Sequence, residues 1–113
     1  MELKIITYNC QSYNSNSLII RNLLLGCDIL CIQESIISQS NSYLLNSIDE
    51  DFDFVFIDAV RDLDNFSGRS SGGLIIFWRK SINMRCIPGY VSNRCLGLKL
   101  MNSDISYLIS IIC

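Results

Sequence analysis

Histidine is missing from all 113 residues, so any mechanism that needs an imidazole base or ligand cannot be supplied by this chain alone. Proline occurs once and glycine six times, too few for a collagen-like or linker-rich chain. Charge is scarce, at 18% of residues against 50% hydrophobic, and the mean hydropathy is +0.32. That balance excludes intrinsic disorder, which needs low hydrophobicity and high net charge. No apolar run approaches the roughly 18 residues of a membrane span, because the strongest helical candidate, residues 18–25, is broken by Arg21 and Asn22. The chain opens Met1-Glu2 and then alternates, without the pattern of a secretory signal. Six cysteines in such a chain read as reduced thiols of an intracellular protein rather than as a disulfide framework. The length accommodates one domain or less.

What charge there is lies unevenly. Residues 1–67 carry ten acids against three bases (Lys4, Arg21, Arg61), and residues 68–113 carry six bases (Arg69, Arg79, Lys80, Arg85, Arg94, Lys99) against Asp104. The net charge is −2 and the sequence pI about 4.8, far from the basic balance of an obvious nucleic-acid binder. The asymmetry nevertheless permits a basic surface on one side of a fold. Solvated loop charges would give the same pattern.

Periodicity and punctuation predict a mixed α/β chain. Residues 3–9 form an apolar, β-branched run that reads as a strand. Ser17 can cap a helix over residues 18–25, with Gly26 as its stop. Residues 28–34 (DILCIQE) are apolar on both faces, which implies a strand inside a layered α/β interior. A second helix is expected from the Ser/Asn-rich segment 38–42 through Ile48. Residues 52–58 alternate around Phe54 and Phe56 as a third strand, residues 61–71 form the most polar loop, and residues 72–79 form a fourth strand led by a glycine pair. Further strands are expected at 82–87 and 94–100, separated by a Pro88-Gly89 turn, and at 105–112. Trp78, Phe77, Phe54 and Phe56 fall at strand spacing and read as core. The final YLISIIC leaves an unusually apolar terminus, which suggests a chain cut within a strand.

Two polar residues end apolar strands: Asn9 and Glu34. If those strands are parallel neighbours joined by the intervening helix, both side chains reach one rim, where layered α/β folds bind ligands. A carboxylate there can hold a hard cation such as Mg²⁺, with water completing its shell. The amide beside it can hydrogen-bond a phosphate or a metal-bound water without adding charge. A strand-terminal Glu that merely begins a solvated loop is the plain alternative. The segment Gly68-Arg69-Ser70-Ser71-Gly72-Gly73 is glycine-rich but leads into a strand, so it marks close backbone packing rather than a phosphate loop. Cys27 and Cys31 have the spacing of half a zinc site, but no second couple accompanies them.

Taken in order, these segments resemble the N-terminal half of the endonuclease/exonuclease/phosphatase superfamily. Within it they are most similar to the endonuclease domain of non-LTR (LINE-type) retrotransposons. ITYNCQS resembles the family's first strand with its active-site Asn, and DILCIQES resembles the second strand with its metal-binding Glu. GRSSGGLIIFWRKSI resembles the glycine-led central strand, its Phe-Trp-Arg-Lys tail being the retroelement-like part. NRCLGLKL and SDISYLISIIC resemble the following hairpin.

The resemblance implies an α/β (α+β) fold: the N-terminal half of a two-sheet β-sandwich flanked by helices, DNase I-like, with residues 1–113 a partial domain. It implies that Glu34 is the ligand for Mg²⁺ (or Mn²⁺), that Asn9 positions a phosphate or water, and that the partner is DNA. Arg69 is a weaker candidate for a DNA phosphate contact. A His–Asp pair, an Asp-x-Asn motif and a Tyr complete the family's site, and none can be assigned to this sequence. Relatives often carry Asp or Asn where Gln11 stands, and a neutral amide there weakens any cation contact. The chain is therefore expected to supply about one sheet with its outer helices, to be inactive alone and to self-associate through the uncovered sheet. Nuclear localisation follows if it is a retroelement endonuclease. A phosphatase or lipid phosphodiesterase of the same superfamily, or a non-catalytic α/β scaffold from a decayed copy, shares the same motifs.

Overall fold

Two parallel strands need a crossover between them, and the sequence from residue 10 to residue 28 provides it. In the computed structural model, which describes residues 2–58, 60–61, 70–92 and 94–112, β1 (Ile5–Asn9) pairs in parallel with β2 (Ile29–Gln33). The connection is α1 (Tyr13–Leu25), which buries Tyr13, Ile20 and Leu24 on one side. Gly26 ends it, its N–H donating to the Leu23 carbonyl at 3.1 Å. The helix starts five residues before the expected Leu18, because its first turn is separated from the rest by a break at Asn16 (φ −125°, ψ 19°) rather than by a cap at Ser17. The second helix is a 3₁₀ helix over Gln39–Ser47, opened by a capping box in which the Ser38 N–H donates to Asn41 Oδ1 at 2.7 Å. Serine and asparagine side chains compete for backbone hydrogen bonds in this segment, which disfavours a regular α-helix.

The first sheet is completed by β3 (Phe52–Ile57), while β4 (Val60–Arg61) and β5 (Ser70–Ser71) form a separate short antiparallel ladder. β6 (Leu74–Arg79) runs antiparallel to both β2 and β3, so the order is β1-β2-β6-β3. β2 and β6 are apolar on both faces because both faces are covered. Leu30, Ile32, Ile75 and Phe77 pack under the helices, together with Phe52, Phe54 and Phe56. Ile29, Cys31, Leu74 and Ile76 face the other way, with Trp78 packed against them. The aromatic residues are core, as their spacing predicted, with the Phe54 and Phe77 ring centroids 6.0 Å apart.

The chain supplies more than one sheet. β7 (Arg85–Ser92), β8 (Cys95–Met101) and β9 (Ser106–Ile112) form an antiparallel meander. Leu96, Leu98 and Leu100 of β8 join Ile111 in closing the inner face of the first sheet. This corrects the expectation that the inner face lies uncovered. The expected Pro88-Gly89 turn is also absent: β7 runs through both residues, with Pro88 opposite Leu98 and Gly89 opposite Gly97. Proline is tolerated in β7 because it is an edge strand, where alternate N–H groups point away from the ladder. The chain reverses instead between Ser92 and Cys95, where the Arg94 N–H donates to Ser92 Oγ.

What stays open is a seam. β1 and β9 are edges of their sheets, and a groove of about 330 Å³ between them is lined by Leu3, Ile5, Leu100, Tyr107, Leu108 and Ile109, among others. Ile5, Ile105, Tyr107 and Leu108 are exposed there, Leu108 by 73%. Neither edge strand carries a charge or a proline, the usual protections of an open edge. No described helix is long and apolar enough to cross a membrane.

At the end of the first sheet away from Asn9, one side chain locks helix to strands. Arg79 donates from Nη2 to the carbonyls of Leu24 and Cys27, at 3.0 and 2.7 Å. Its guanidinium lies 4.6 Å over the Phe52 ring centroid and 3.7 Å from the Asp28 carboxylate. The Asp28 carboxylate in turn accepts the Lys4 N–H at 2.9 Å. Charge-assisted bonds to helix-end carbonyls are worth more than a partly exposed ion pair. Urea unfolding is therefore expected to show a loss of about 2–3 kcal/mol for Arg79→Ala, against about 1 kcal/mol or less for the pairing removed by Asp28→Asn.

Candidate functional site at the strand-end rim

The parallel register sets Asn9 level with Gln33, so Glu34, the next residue, leaves β2 beside the end of β1. With neighbouring strands about 4.8 Å apart, the two backbones lie about 5–6 Å from each other. β6 is antiparallel to β2, which brings Gly72 and Gly73 at its start to the same rim. β3 is antiparallel to β6 and ends there too, at Ile57 opposite Leu74, so the exposed Asp58 follows on that rim. Sequence alone does not single out Asp58. Its signal was there, an acid directly after an alternating strand, but the strand order that places it was not. It stands two strands from Glu34, about 10 Å away from backbone to backbone across the sheet.

Asn9 is exposed and Glu34 half-buried. Along β1 and β2, Thr7, Asn9, Cys31 and Gln33 share the inner-facing side, and Gln33 Nε2 donates to Thr7 Oγ1 at 2.9 Å. Simple alternation would send Glu34 to the opposite side. The strand stops before that rule applies, because Glu34 adopts a left-handed φ of 56°. The structure thus brings Asn9 and Glu34 to one rim. Arg69 lies outside the described residues.

Left-handed backbone is concentrated here. Gln11, Glu34 and Ile36 all have φ of 56°, and Gly72 and Gly73 have φ of 77° and 92°. For the β-branched Ile36 this conformation costs about 1–2 kcal/mol. Hydrogen bonds hold it: the N–H groups of Ser35 and Ile36 donate to the carbonyls of Gly73 and Gly72, at 3.2 and 3.1 Å. Ile37 is buried, and its N–H donates to Ser35 Oγ at 3.3 Å. The glycine pair is needed because its own left-handed turn aims both carbonyls at the residues after Glu34. Close backbone packing, not phosphate cradling, is what these glycines do.

Cys10 lies buried between the two strand ends. Its N–H donates to the Gln33 carbonyl at 3.1 Å, and its thiol to the Glu34 carbonyl at 3.4 Å. Burial pushes the thiol up from its ordinary range, and the Glu34 carboxylate adds to the shift. The thiol is a neutral structural donor, while the oxygens at the rim include those of the exposed Asn9 and Asp58 and of the half-buried Glu34. Among the described residues no three His, Cys, Asp or Glu side chains cluster as a metal site. The five described cysteines are free, which leaves the Cys27–Cys31 pair as two buried core thiols.

The sequence profile of the Endonuclease/Exonuclease/phosphatase family matches residues 6–104, from β1 to the turn before β9. The chain belongs to this family. No curated protein matches it. Among solved structures it is similar to the AP endonuclease of Leishmania major, with a TM-score of 0.70 at 17% identity over 98% of this chain. It is also similar to a 3′ phosphatase from Neisseria bound to a product DNA hairpin, with a TM-score of 0.58 at 19% identity over 95% of this chain. At those identities the likeness is one of fold, and it agrees with the DNase I-like, two-sheet class expected from the motifs. The chain spans 40% of the length of each structure.

Burial at and beneath the rim gives the family member a pH signature. Burial pushes Tyr13 up to about 12 and Cys31 up to about 11, from 10.0 and 9.0. Between those values the unfolded chain has released protons that the folded chain keeps, so stability falls as pH rises. Thermal unfolding is expected to be flat in pH up to about 8.5 and to lose several degrees by pH 11. In Cys31→Ala the slope between pH 9 and 11 should be shallower.

Proposed function

We propose that this family member is part of a Mg²⁺-dependent phosphodiesterase, a retrotransposon-type DNA endonuclease, contributing Asn9 and Glu34 to a site completed by polypeptide beyond these residues. The observation that carries the proposal is the pairing of two strand ends. In a chain matched by the family over residues 6–104, an amide ends one strand and a carboxylate directly follows the end of its parallel neighbour, at one rim. The donor set fits a hard cation. Glu34 and Asn9 offer oxygen only, the nearby thiol is buried and protonated, and Mg²⁺ accepts one or two carboxylates while keeping several waters. Such an ion supplies charge stabilisation to a phosphoryl group and to its leaving oxygen.

The chain's own residues have limited parts in that reaction. Glu34 would hold the ion, its left-handed backbone steadied by the Cys10 thiol on its own carbonyl and by the Ser35 and Ile36 N–H bonds to the glycine pair that follow it. Asn9 donates its amide to a phosphate oxygen or orders a water without adding negative charge. Nothing in the sequence supplies a histidine to position the attacking water. The seam along β1 and β9, with its open edges and exposed Tyr107 and Leu108, is the place where further strands of the domain would seat. Left uncovered, it favours association of the isolated chain with itself.

The DNA-directed, retroelement reading rests on the Phe77-Trp78-Arg79-Lys80 resemblance, and it carries with it a nuclear location and an Arg69 contact to a DNA phosphate. The first two positions of that run, and Arg79, have structural work in this fold. The 3′ phosphatase among the similar structures makes release of a terminal phosphate the second reading. Plasmid nicking and 3′-phosphate release, each with Mg²⁺ and with EDTA, separate these readings. The 113-residue chain is expected to do neither and to scatter light as an oligomer. Joined to a C-terminal half from the family, it should nick, and Glu34→Ala should lower nicking by about 100-fold or more. Metal-dependent nicking by a monodisperse 113-residue monomer contradicts the proposal.

A further inference from the structure

Asn16 breaks its own helix. Its φ of −125° is the one non-helical interruption in α1, and asparagine in a helix interior is already unfavourable. The side chain shows where that cost goes. Nδ2 donates to the Cys10 carbonyl at 2.7 Å and to the Ser12 carbonyl at 3.2 Å. Those two carbonyls bracket Gln11, whose φ is 56°. One amide therefore staples a tight left-handed corner directly after Asn9.

That corner is also what the Glu34 segment leans on. The Tyr13 N–H donates to the Ser35 carbonyl at 2.8 Å, the Cys10 N–H to Gln33, and the Cys10 thiol to Glu34. Each of these bonds starts from residues 10–13 and ends on residues 33–35. The β1–β2 register sets Asn9 level with Gln33, and the segments that follow the two strand ends are tied to each other through the shape of residues 10–13, which Asn16 holds. We infer that Asn16 is a positioning residue for the Asn9–Glu34 pair, acting through the corner rather than by touching a ligand. The inference rests on Glu34 being the metal carboxylate, so its test must separate the two ideas.

Paramagnetic broadening of backbone amide signals by Mn²⁺ does so on the 113-residue chain and detects weak binding. In the unaltered chain, signals from Asn9, Glu34 and Gly73 are expected to broaden, and Glu34→Gln should abolish this. Asn16→Ala should raise the Mn²⁺ concentration for half-broadening at the rim at least threefold. Broadening at the acidic turn Asp49–Asp51 and the signals of β6 should remain unchanged, which a general loss of structure would not allow. Asn16→Gln, which restores an amide donor, should recover much of the effect. If Asn16→Ala does not fold, Asn16→Ser serves, since its hydroxyl is too short to span both carbonyls. Rim broadening in the Asn16 variant equal to that of the unaltered chain, with Glu34→Gln silent, overturns the inference alone. Broadening that survives Glu34→Gln, or none in the unaltered chain, overturns the reading of Glu34 and this inference with it.

Discussion

The parallel pairing of β1 with β2 is the constraint on which the rest depends, because it fixes what meets at both ends of the sheet. At one end, Lys4 and Asp28 exchange backbone and side-chain hydrogen bonds, and Arg79 joins the same junction to the end of α1. At the other, Asn9 and Glu34 emerge side by side. A parallel pair cannot be closed by a tight turn, so α1 must lie across one face of the sheet. Its apolar side then decides that β2 and β6 are buried beneath it. A slip of the register by one residue would move Asn9 away from Glu34 and turn the buried faces inside out.

The rim concentrates departures from ideal backbone. Two ordinary residues and an isoleucine in left-handed conformations would be costly at random positions, yet they sit together between two strand ends and a glycine pair. The opposite end shows none of this: its junction is built from extended strands, helix carbonyls and a guanidinium. Strain held by several hydrogen bonds at one end of an otherwise regular sheet marks where the geometry is specified beyond what folding needs.

Much of this was legible in the residues. The doubly apolar DILCIQE implied a covered strand, which the structure ends at Gln33, just before Glu34, and the run at residues 3–9 put Asn9 at the end of its own strand. The β8 and β9 strands and the aromatic core were readable from strand spacing, while their pairing as a hairpin was implied only by the family resemblance. Less legible was anything set by tertiary partners. Pro88-Gly89 looked like a turn, because the sequence does not show that β7 is an edge where proline is harmless. The start of α1 was missed, since the helix break at Asn16 is repaid by two carbonyls in a different segment. The second sheet's place on the inner face was missed because the apolar run at the chain's end resembled a surface without a partner, while β8 before it supplied the cover.

The central claim is that Asn9 and Glu34 together form the oxygen face of a cation site at one sheet rim. A crystal of the chain soaked in Mn²⁺, with the metal located by anomalous scattering, tests it most directly. An ion within coordination distance of a Glu34 carboxylate oxygen, on the side of the rim that Asn9 faces, is the predicted result. Manganese only on surface acids such as Asp49–Asp51, or a Glu34 side chain turned to the face opposite Asn9, would contradict it.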